Sequence, residues 1–303
     1  MTLLGALLKR VSYPRRAALV VAHPDDETIA AGGSLHLLPH LVLAHVTDGA
    51  PRGLDDAARA GFGTPAAYAA ARRAELDSAL AVAGAAPVRA ALDVPDQDAS
   101  LHMGAVTARL AALFAAHGVD AVLTHAYEGG HPDHDAVAFC VAGAAGGREV
   151  VEFPAYHAAG DGQLVTGSFL PPLPPGKGRG EGQCSAPATT APGPGPSRGA
   201  ALPGPHPNPL PGGEGEAVLL TPAEQRRKQH MLACFQTQRE FLQHFPTGAE
   251  HFRPAPAYDF GLPPHPGPLN YERWGWPLTG ARWRELARQA RPEASPKAHP
   301  CAA

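Results

Sequence analysis

Two short segments of the chain bring histidine and aspartate together at close spacing. The first is AHPDDE at 22–27 and the second is GGHPDHD at 129–135. A histidine and an aspartate three positions apart, across a proline turn, can both point at one cation, and the other segment can supply a third ligand. Two imidazoles and a carboxylate with one open position is an arrangement typical of catalytic zinc. The two segments therefore predict one shared metal site.

Such a site would be suited to hydrolysis. A bound metal ion lowers the pKa of a water molecule to about 7 and polarises a carbonyl group. A second carboxylate beside the ligands can accept the water's proton. His131 can stabilise an oxyanion or protonate a leaving amine. The pair Asp25 and Asp26 after a first strand also occurs in phospho-receiver sites, where acids bind magnesium, but that alternative gives the histidines no role.

Each segment follows an apolar run that predicts a buried strand, at 17–23 and at 120–125. A helix is predicted after each segment, over 28–38 and 133–145. In parallel α/β sheets, ligands bind outside the carboxyl ends of the strands. The two segments should therefore converge there.

The rest of the chain continues the alternation of strands and helices, which predicts a mostly parallel sheet with helices on both faces. Thr221, Pro222 and Glu224 form a capping-box start for one of these helices. Trp274 and Trp276 are interpreted as packing residues. The further predicted strands are 41–49, 88–94, 148–159 and 162–170, the last two joined by a polar turn, and the further helices are 65–84, 105–117, 221–245 and 279–290.

One segment cannot pack a core of its own. Residues 171–216 contain 13 Pro and 11 Gly, 24 of 46 positions. Such a segment buries too little apolar surface to offset its ordering entropy. It is predicted to be a disordered insert at the tip of a late β-hairpin, with its flanks 162–170 and 217–221 paired. The alternative, a proline-rich ligand for an adaptor domain, lacks a spaced PxxP with flanking arginine.

Composition limits the classes of function. A formal net charge of −3 argues against a broad electrostatic grip on nucleic acid. The four cysteines, Cys140, Cys184, Cys234 and Cys301, form no CxxC pair and indicate free thiols in a cytosolic protein. We find no apolar run long enough for a membrane span, and the N-terminal residues are predicted to be an exposed amphipathic start.

AHPDDE at 22–27 together with GGHPDH at 129–134 resembles the PIG-L/LmbE-like family of zinc-dependent N-acetylglucosaminyl deacetylases. RRAEL (72–76), PDQ (95–97) and KQHMLACFQTQ (228–238) add support. The resemblance implies a Rossmann-like fold in a cytoplasmic enzyme that removes an N-acetyl group from a small amino-sugar conjugate. It implies Zn²⁺ as the cofactor, although Fe²⁺ or another divalent metal suits such ligands too.

The resemblance also implies roles for individual residues. His23, Asp26 and His134 would bind the metal. Asp25 would be the general base and His131 would handle the tetrahedral intermediate, with Asp133 orienting His131 through a hydrogen bond.

Arg72 and Asp96 match positions that contact substrate. An exposed Arg72 paired with Glu75, and a simple Pro-Asp turn at Asp96, are the alternatives.

The expected organisation is one deacetylase domain over 17–170 and 217–290, interrupted by the insert and followed by a flexible tail at 291–303. An amidase acting on thiol-sugar conjugates would use the same site. A metal-binding protein without catalysis is a further alternative, although every acid–base and ligand position is filled. Whether the chain forms a homo-oligomer stays open.

Overall fold

The computed structural model describes residues 1–170 and 215–291. The strands are β1 (Ala17–Val21), β2 (Leu41–Pro51), β3 (Val88–Asp96), β4 (Ala121–His125), β5 (Glu149–Phe153), β6 (Tyr156–Ala158), β7 (Leu164–Thr166), β8 (Glu216–Leu219) and β9 (Ala249–Pro254). The helices are α1 (Leu3–Lys9), α2 (Asp26–Ala31), α3 (Asp55–Arg59), α4 (Pro65–Ala83), α5 (Met103–Ala116), α6 (Pro132–Ala144), α7 (Pro222–Cys234), α8 (Arg239–Leu242), α9 (Asn270–Arg273) and α10 (Gly280–Ala290).

The central sheet has seven strands in the order β3-β2-β1-β4-β5-β9-β8. Strands β1 to β5 pair in parallel, and β9 and β8 add to one edge as antiparallel strands. β6 and β7 form a separate antiparallel hairpin. The predicted class, a mostly parallel α/β sheet with a later hairpin, is confirmed.

Alternate residues of β1 enter two different hydrophobic cores. Leu19 and Val21 pack in the cluster that includes side chains of α1, α4 and α7. Ala18 and Val20 pack in the cluster that includes side chains of α5, α6 and α10. The strand is covered on both faces, which explains why its sequence is apolar at every position rather than at every second one.

The strand order reverses at β1. The chain passes from β1 to β2 on one side, whereas β4 and β5 lie on the other. A crevice forms outside the carboxyl ends of strands at such a switch point, because the connections leave in opposite directions. The segments that follow β1 and β4 border this crevice.

The N-terminal residues are not an exposed start. Leu3, Ala6 and Leu7 of α1 have no solvent exposure and pack in the core. Thr2 caps the helix by accepting a hydrogen bond from the Gly5 amide. The carboxylate of Glu149 also accepts hydrogen bonds from the Leu3 and Leu4 amides, so apolar packing and capping together dock this short helix.

The single helix predicted over 221–245 is divided. α7 begins with the predicted capping box at Thr221 and Glu224, but it ends at Cys234. A 3₁₀ turn over Gln236–Gln238 separates it from α8. The carboxylate of Glu75 on α4 accepts hydrogen bonds from the Thr237 amide and hydroxyl at 2.9 and 2.6 Å, which stabilises the turn against continued helix.

The predicted pairing between the two flanks of the insert is wrong. β7 pairs with β6, and β8 pairs with β9, a strand that the sequence did not predict. The two flanks still meet, because the ring of Phe169 packs so closely on Gly215 that a Cβ there would overlap it. The predicted disorder of the insert and of the tail concerns residues that lie almost entirely outside those described.

Within residues 1–170 and 215–291, none of the helices combines the length and the apolar composition that crossing a bilayer requires.

Candidate active site

The two histidine- and aspartate-containing segments meet at the crevice between β1 and β4. His23 follows β1, and Asp26 is the first residue of α2. His131 caps the N-terminus of α6, and His134 lies in its first turn. The loop before α6 must be tight, because a Cβ on Gly130 would overlap the carbonyl oxygen of Tyr156. The parallel pairing of β1 with β4 thus brings together side chains that lie 111 residues apart along the chain.

His23, Asp26 and His134 form a compact triangle of residues, in which each carboxylate oxygen of Asp26 faces one of the histidines. His23 Nδ1 lies 3.2 Å from Asp26 Oδ2 and 3.3 Å from His134 Nε2, and His134 Nε2 lies 3.3 Å from Asp26 Oδ1. Tetrahedral zinc bonds of about 2.0–2.1 Å would separate neighbouring ligands by about 3.3–3.4 Å. All three residues are buried. Their donor atoms and spacing therefore fit a divalent metal ion.

A ring of buried groups surrounds this triangle. His23 Nε2 lies 3.1 Å from Asp96 Oδ1 and 3.4 Å from Asp133 Oδ2. His23, Asp96, His131 and Asp133 are themselves close enough to form a second group able to hold a metal ion. A histidine that binds a metal through one ring nitrogen commonly donates the other N–H to a carboxylate. The two carboxylates can orient His23 in this way.

Asp133 has different partners from the expected ones. Its carboxylate accepts hydrogen bonds from the backbone amides of Gln97 and Ala99, at 2.6 and 3.1 Å. The contact with His131 runs through the backbone, because the Asp133 N–H donates to His131 Nδ1 at 3.1 Å. Asp133 therefore ties α6 to the end of β3 and faces His23 rather than His131.

Asp25 and Arg72 form a buried ion pair next to the triangle. Arg72 Nη2 lies 2.8 Å from Asp25 Oδ2, and both residues are buried, with exposures of 4% and 5%. Arg72 also donates to the carbonyl oxygens of Gly49 and Pro24. The alternative of an exposed Arg72 paired with Glu75 is therefore wrong.

The two adjacent aspartates differ in their electrostatics. Burial raises the pKa of Asp25 to about 8, and Arg72 only partly opposes this effect. Burial would also raise the pKa of Asp26, but His134 and His125 outweigh it and hold that pKa well below its usual range. Asp26 is therefore the carboxylate held in its anionic form, and Asp25 is the one that can take up a proton near neutral pH.

His131 presents one ring nitrogen to the cavity. Its Nδ1 accepts the Asp133 amide, so in the neutral ring Nε2 carries the proton. This Nε2 lies 3.6 Å from Asp96 Oδ1. Burial and the charge of His23 lower the pKa of His131 well below its usual range. A neutral ring with an Nε2–H donor can hydrogen-bond to an oxyanion.

A cavity of about 660 Å³ opens above these groups. One wall is a cluster of four aromatic rings, here called the aromatic wall: Tyr156, Phe241, Trp274 and Trp276. The Trp276 ring lies 4.8 Å from the His131 ring, and Trp274 is 43% exposed. Arg72 and Asp96 also line the cavity. Seven of the eight predicted site residues therefore line one pocket, and the eighth, Asp133, lies behind His23.

Sequence reasoning missed several residues at this pocket. Trp274 and Trp276 were interpreted as packing residues, but both line the cavity. His125, the last residue of β4, stacks on His134 with ring centroids 4.0 Å apart. A histidine at the carboxyl end of a strand next to the motif is a signal that could have identified His125. The aromatic residues carried no such signal, because their placement depends on the path of the chain after β9.

Comparison with known proteins agrees with these features. Residues 18–145 match the family model described as PIG-L, GlcNAc-PI de-N-acetylase. No curated protein matches the chain.

Several solved structures are similar. A triple mutant of the deacetylase Orf2, involved in the teicoplanin biosynthetic pathway, has 16% identity over 80% of this chain and 100% of that one, with a TM-score of 0.50. The A40926 pseudoaglycone deacetylase Dbv21 has 18% identity over 76% of this chain and 85% of that one, with a TM-score of 0.49. At such identities the first likeness supports the fold alone. The match to the PIG-L family model, over residues 18–145, runs from β1 to α6 and includes both histidine motifs.

Proposed function

We propose that this protein is a metal-dependent hydrolase that removes an N-acetyl group from an amino-sugar conjugate. The observation that carries the proposal is the triangle of His23 Nδ1, Asp26 and His134 Nε2, with the Asp25 carboxylate beside it. The match to a family of GlcNAc-PI de-N-acetylases supports the choice of an N-acetylated sugar. Zn²⁺ is the proposed metal, because two imidazoles and one carboxylate with an open position suit it; Fe²⁺ fits the same ligands.

Each residue of the site has a separate role in the proposed reaction. A metal ion bound by His23, Asp26 and His134 would supply a water of lowered pKa and polarise the acyl carbonyl. Asp25 accepts a proton from the attacking water, and Arg72 holds its carboxylate in place. His131 Nε2–H hydrogen-bonds to the oxyanion. The C–N bond then breaks, the amine takes up a proton from Asp25 or His131, and acetate is the second product.

The cavity suits a sugar conjugate of moderate size. Its aromatic wall offers ring faces next to His131, and Arg72, Asp96 and Gln97 offer polar groups on other sides. An amidase for thiol-sugar conjugates would use the same groups, so the substrate panel must contain both classes. A phospho-receiver role is disfavoured because three buried histidines crowd the two aspartates.

Metal analysis combined with an acetate-release assay tests the proposal. Purified protein should hold about one tightly bound metal ion and release acetate from at least one N-acetyl amino-sugar conjugate. His134→Ala should lose both metal and activity, because two protein ligands hold catalytic zinc poorly. Asp25→Asn should keep the metal but lose roughly 10²–10⁴ in kcat. His102→Ala, at an exposed residue, is the control. Full metal occupancy in His134→Ala would refute the ligand assignment.

A further inference from the structure

The backbone of Asp25 has an unusual conformation. Its φ is 134° and its ψ is −29°, a combination that favours glycine. Asp25 stands just before α2, so its amide has no acceptor within the helix. Non-glycine residues in such regions persist only where their surroundings enforce them, and they cluster at functional sites. The contacts that hold this residue therefore matter for its carboxylate.

Glu27 provides one of these contacts. Its Oε2 accepts a hydrogen bond from the Asp25 amide at 3.0 Å, and its Oε1 accepts one from the Thr28 hydroxyl at 2.6 Å. His45 on β2 completes the arrangement, with its Nε2 3.1 Å from Glu27 Oε2. Glu27 has no exposed surface and His45 is 5% exposed. A buried carboxylate with three hydrogen-bonding partners has a fixed orientation.

We propose that Glu27, oriented by His45, is a positioning residue that aims Asp25 at the reacting atoms. The inference rests on the proposed function, in which Asp25 is the general base. Arg72 holds the carboxylate of Asp25, and Glu27 holds its amide. With both ends of the residue fixed, the carboxylate has little freedom to move away from the metal ligands. Misplacing a catalytic group by about 1 Å can cost on the order of 10²-fold in rate.

Glu27 could have a purely structural role as the cap of α2, and this role must be distinguished from the positioning of Asp25. A glutamate that accepts the amide at the start of a helix also stabilises that helix, whatever the neighbouring side chain does. If Glu27 only caps α2, removing it should lower kcat by the same factor whether or not the Asp25 carboxylate is present. If it acts through Asp25, its effect on kcat should vanish once that carboxylate is absent.

A double-mutant cycle distinguishes the two roles. Glu27→Ala should keep its metal, keep KM within about threefold and lose on the order of 10²-fold in kcat. Glu27→Gln should recover most of this loss, because the amide oxygen can still accept the Asp25 N–H. In the Asp25→Asn background, Glu27→Ala should cause no further loss of kcat. Multiplicative losses, or loss of metal in Glu27→Ala, would overturn the proposal.

Glu250→Gln is the matched control. Glu250 is also a buried carboxylate near α2, but it holds the far end, through the Gly33 amide, the Ser34 hydroxyl and Lys228. The Glu250→Gln variant should have a lower melting temperature and an unchanged kcat. A loss of kcat equal to that of Glu27→Ala would show that loosening α2 is sufficient, and it would overturn the proposal.

A second variant and a second readout keep the test decisive. If Glu27→Ala does not fold, His45→Ala serves in the same cycle, because it removes a partner of Glu27 and leaves the carboxylate in place. Amide hydrogen exchange at Asp25 needs no substrate. It should become faster in Glu27→Ala and His45→Ala but not in Glu250→Gln. Unchanged exchange would overturn the inference. An inactive wild-type protein with the expected exchange pattern would refute the proposed function instead.

Discussion

Arg72 reaches from the middle of α4 to place its guanidinium 2.8 Å from the carboxylate of Asp25. The same guanidinium donates to two backbone carbonyl oxygens, those of Pro24 and Gly49. It therefore fixes the loop after β1, the end of β2 and the proposed base in one arrangement. A guanidinium can hold three acceptors at once because it is planar and carries several N–H donors in fixed directions. A lysine ammonium cannot place its donors in the same geometry.

Arg72→Lys should lower kcat by about 10- to 100-fold while metal content stays that of the wild type, because the base loses its fixed orientation. Acetate release and metal analysis on the same preparation measure the two quantities. Arg73→Lys, at the exposed neighbouring position, should change neither. Wild-type kcat in Arg72→Lys would mean that Asp25 needs no such support.

The backbone of Asp25 gives a second prediction, which concerns stability. Asp25→Ala and Asp25→Gly both remove the ion pair with Arg72, but only glycine adopts a φ of 134° without strain. The glycine variant should have a free energy of unfolding about 1–2 kcal/mol larger than the alanine variant. Denaturant unfolding of the two metal-free proteins measures the difference. Equal stability, or a more stable alanine variant, would contradict the prediction that the backbone at position 25 is strained.

Trp276 is predicted to contact the sugar. Its ring lines the cavity and lies 4.8 Å from that of His131, so it stands next to the proposed catalytic groups. Trp276→Ala should raise KM about tenfold, the effect of losing a contact worth somewhat more than 1 kcal/mol. Trp276→Phe should keep most of the affinity, because it retains an aromatic face. If Trp276 only packs, the alanine variant will lose stability with KM unchanged.

The meeting of Phe169 with Gly215 gives a prediction for residues 171–214. Since the chain leaves the described fold and returns to it at neighbouring points, a short linker can join them. Closing a loop of half the length changes its entropic cost by only about 0.6 kcal/mol. Replacing the segment with a few glycine and asparagine residues should therefore preserve the melting temperature, metal content and activity. Normal metal content with activity lost on every substrate would show that this segment shapes the active site.

The sequence could predict which side chains gather at the crevice, because the motifs that carry them are local. Each histidine motif stands where an apolar strand ends, and the rule for parallel sheets places both at one crevice. The triangle of His23, Asp26 and His134 follows from two turns that the motifs themselves specify. The distances of 3.2–3.3 Å between their side-chain nitrogen and oxygen atoms follow once β1 pairs with β4.

The errors of prediction have tertiary causes. The helix predicted over 221–245 ends early because Glu75, far away in sequence, binds the Thr237 amide and hydroxyl. The two flanks of the insert do not pair because β9 competes for β8. β9 carries His251, Arg253 and other polar residues, and so gave no apolar signal. The aromatic wall was missed for the same reason, since nothing local brings Tyr156 and Trp276 to one pocket.

The triangle of ligands joins parts of the chain that are held together by the sheet at β1 and β4. His23 and Asp26 belong to one side of the switch point, and His134 belongs to the other. A metal ion bound there is thermodynamically linked to folding, because the unfolded chain cannot present the three groups together. Chelation should therefore lower the melting temperature as well as abolish turnover. With free metal at about 100 times its dissociation constant, the stabilisation would be about 2.7 kcal/mol. The cofactor would thus act as a reversible crosslink between the two halves of the sheet.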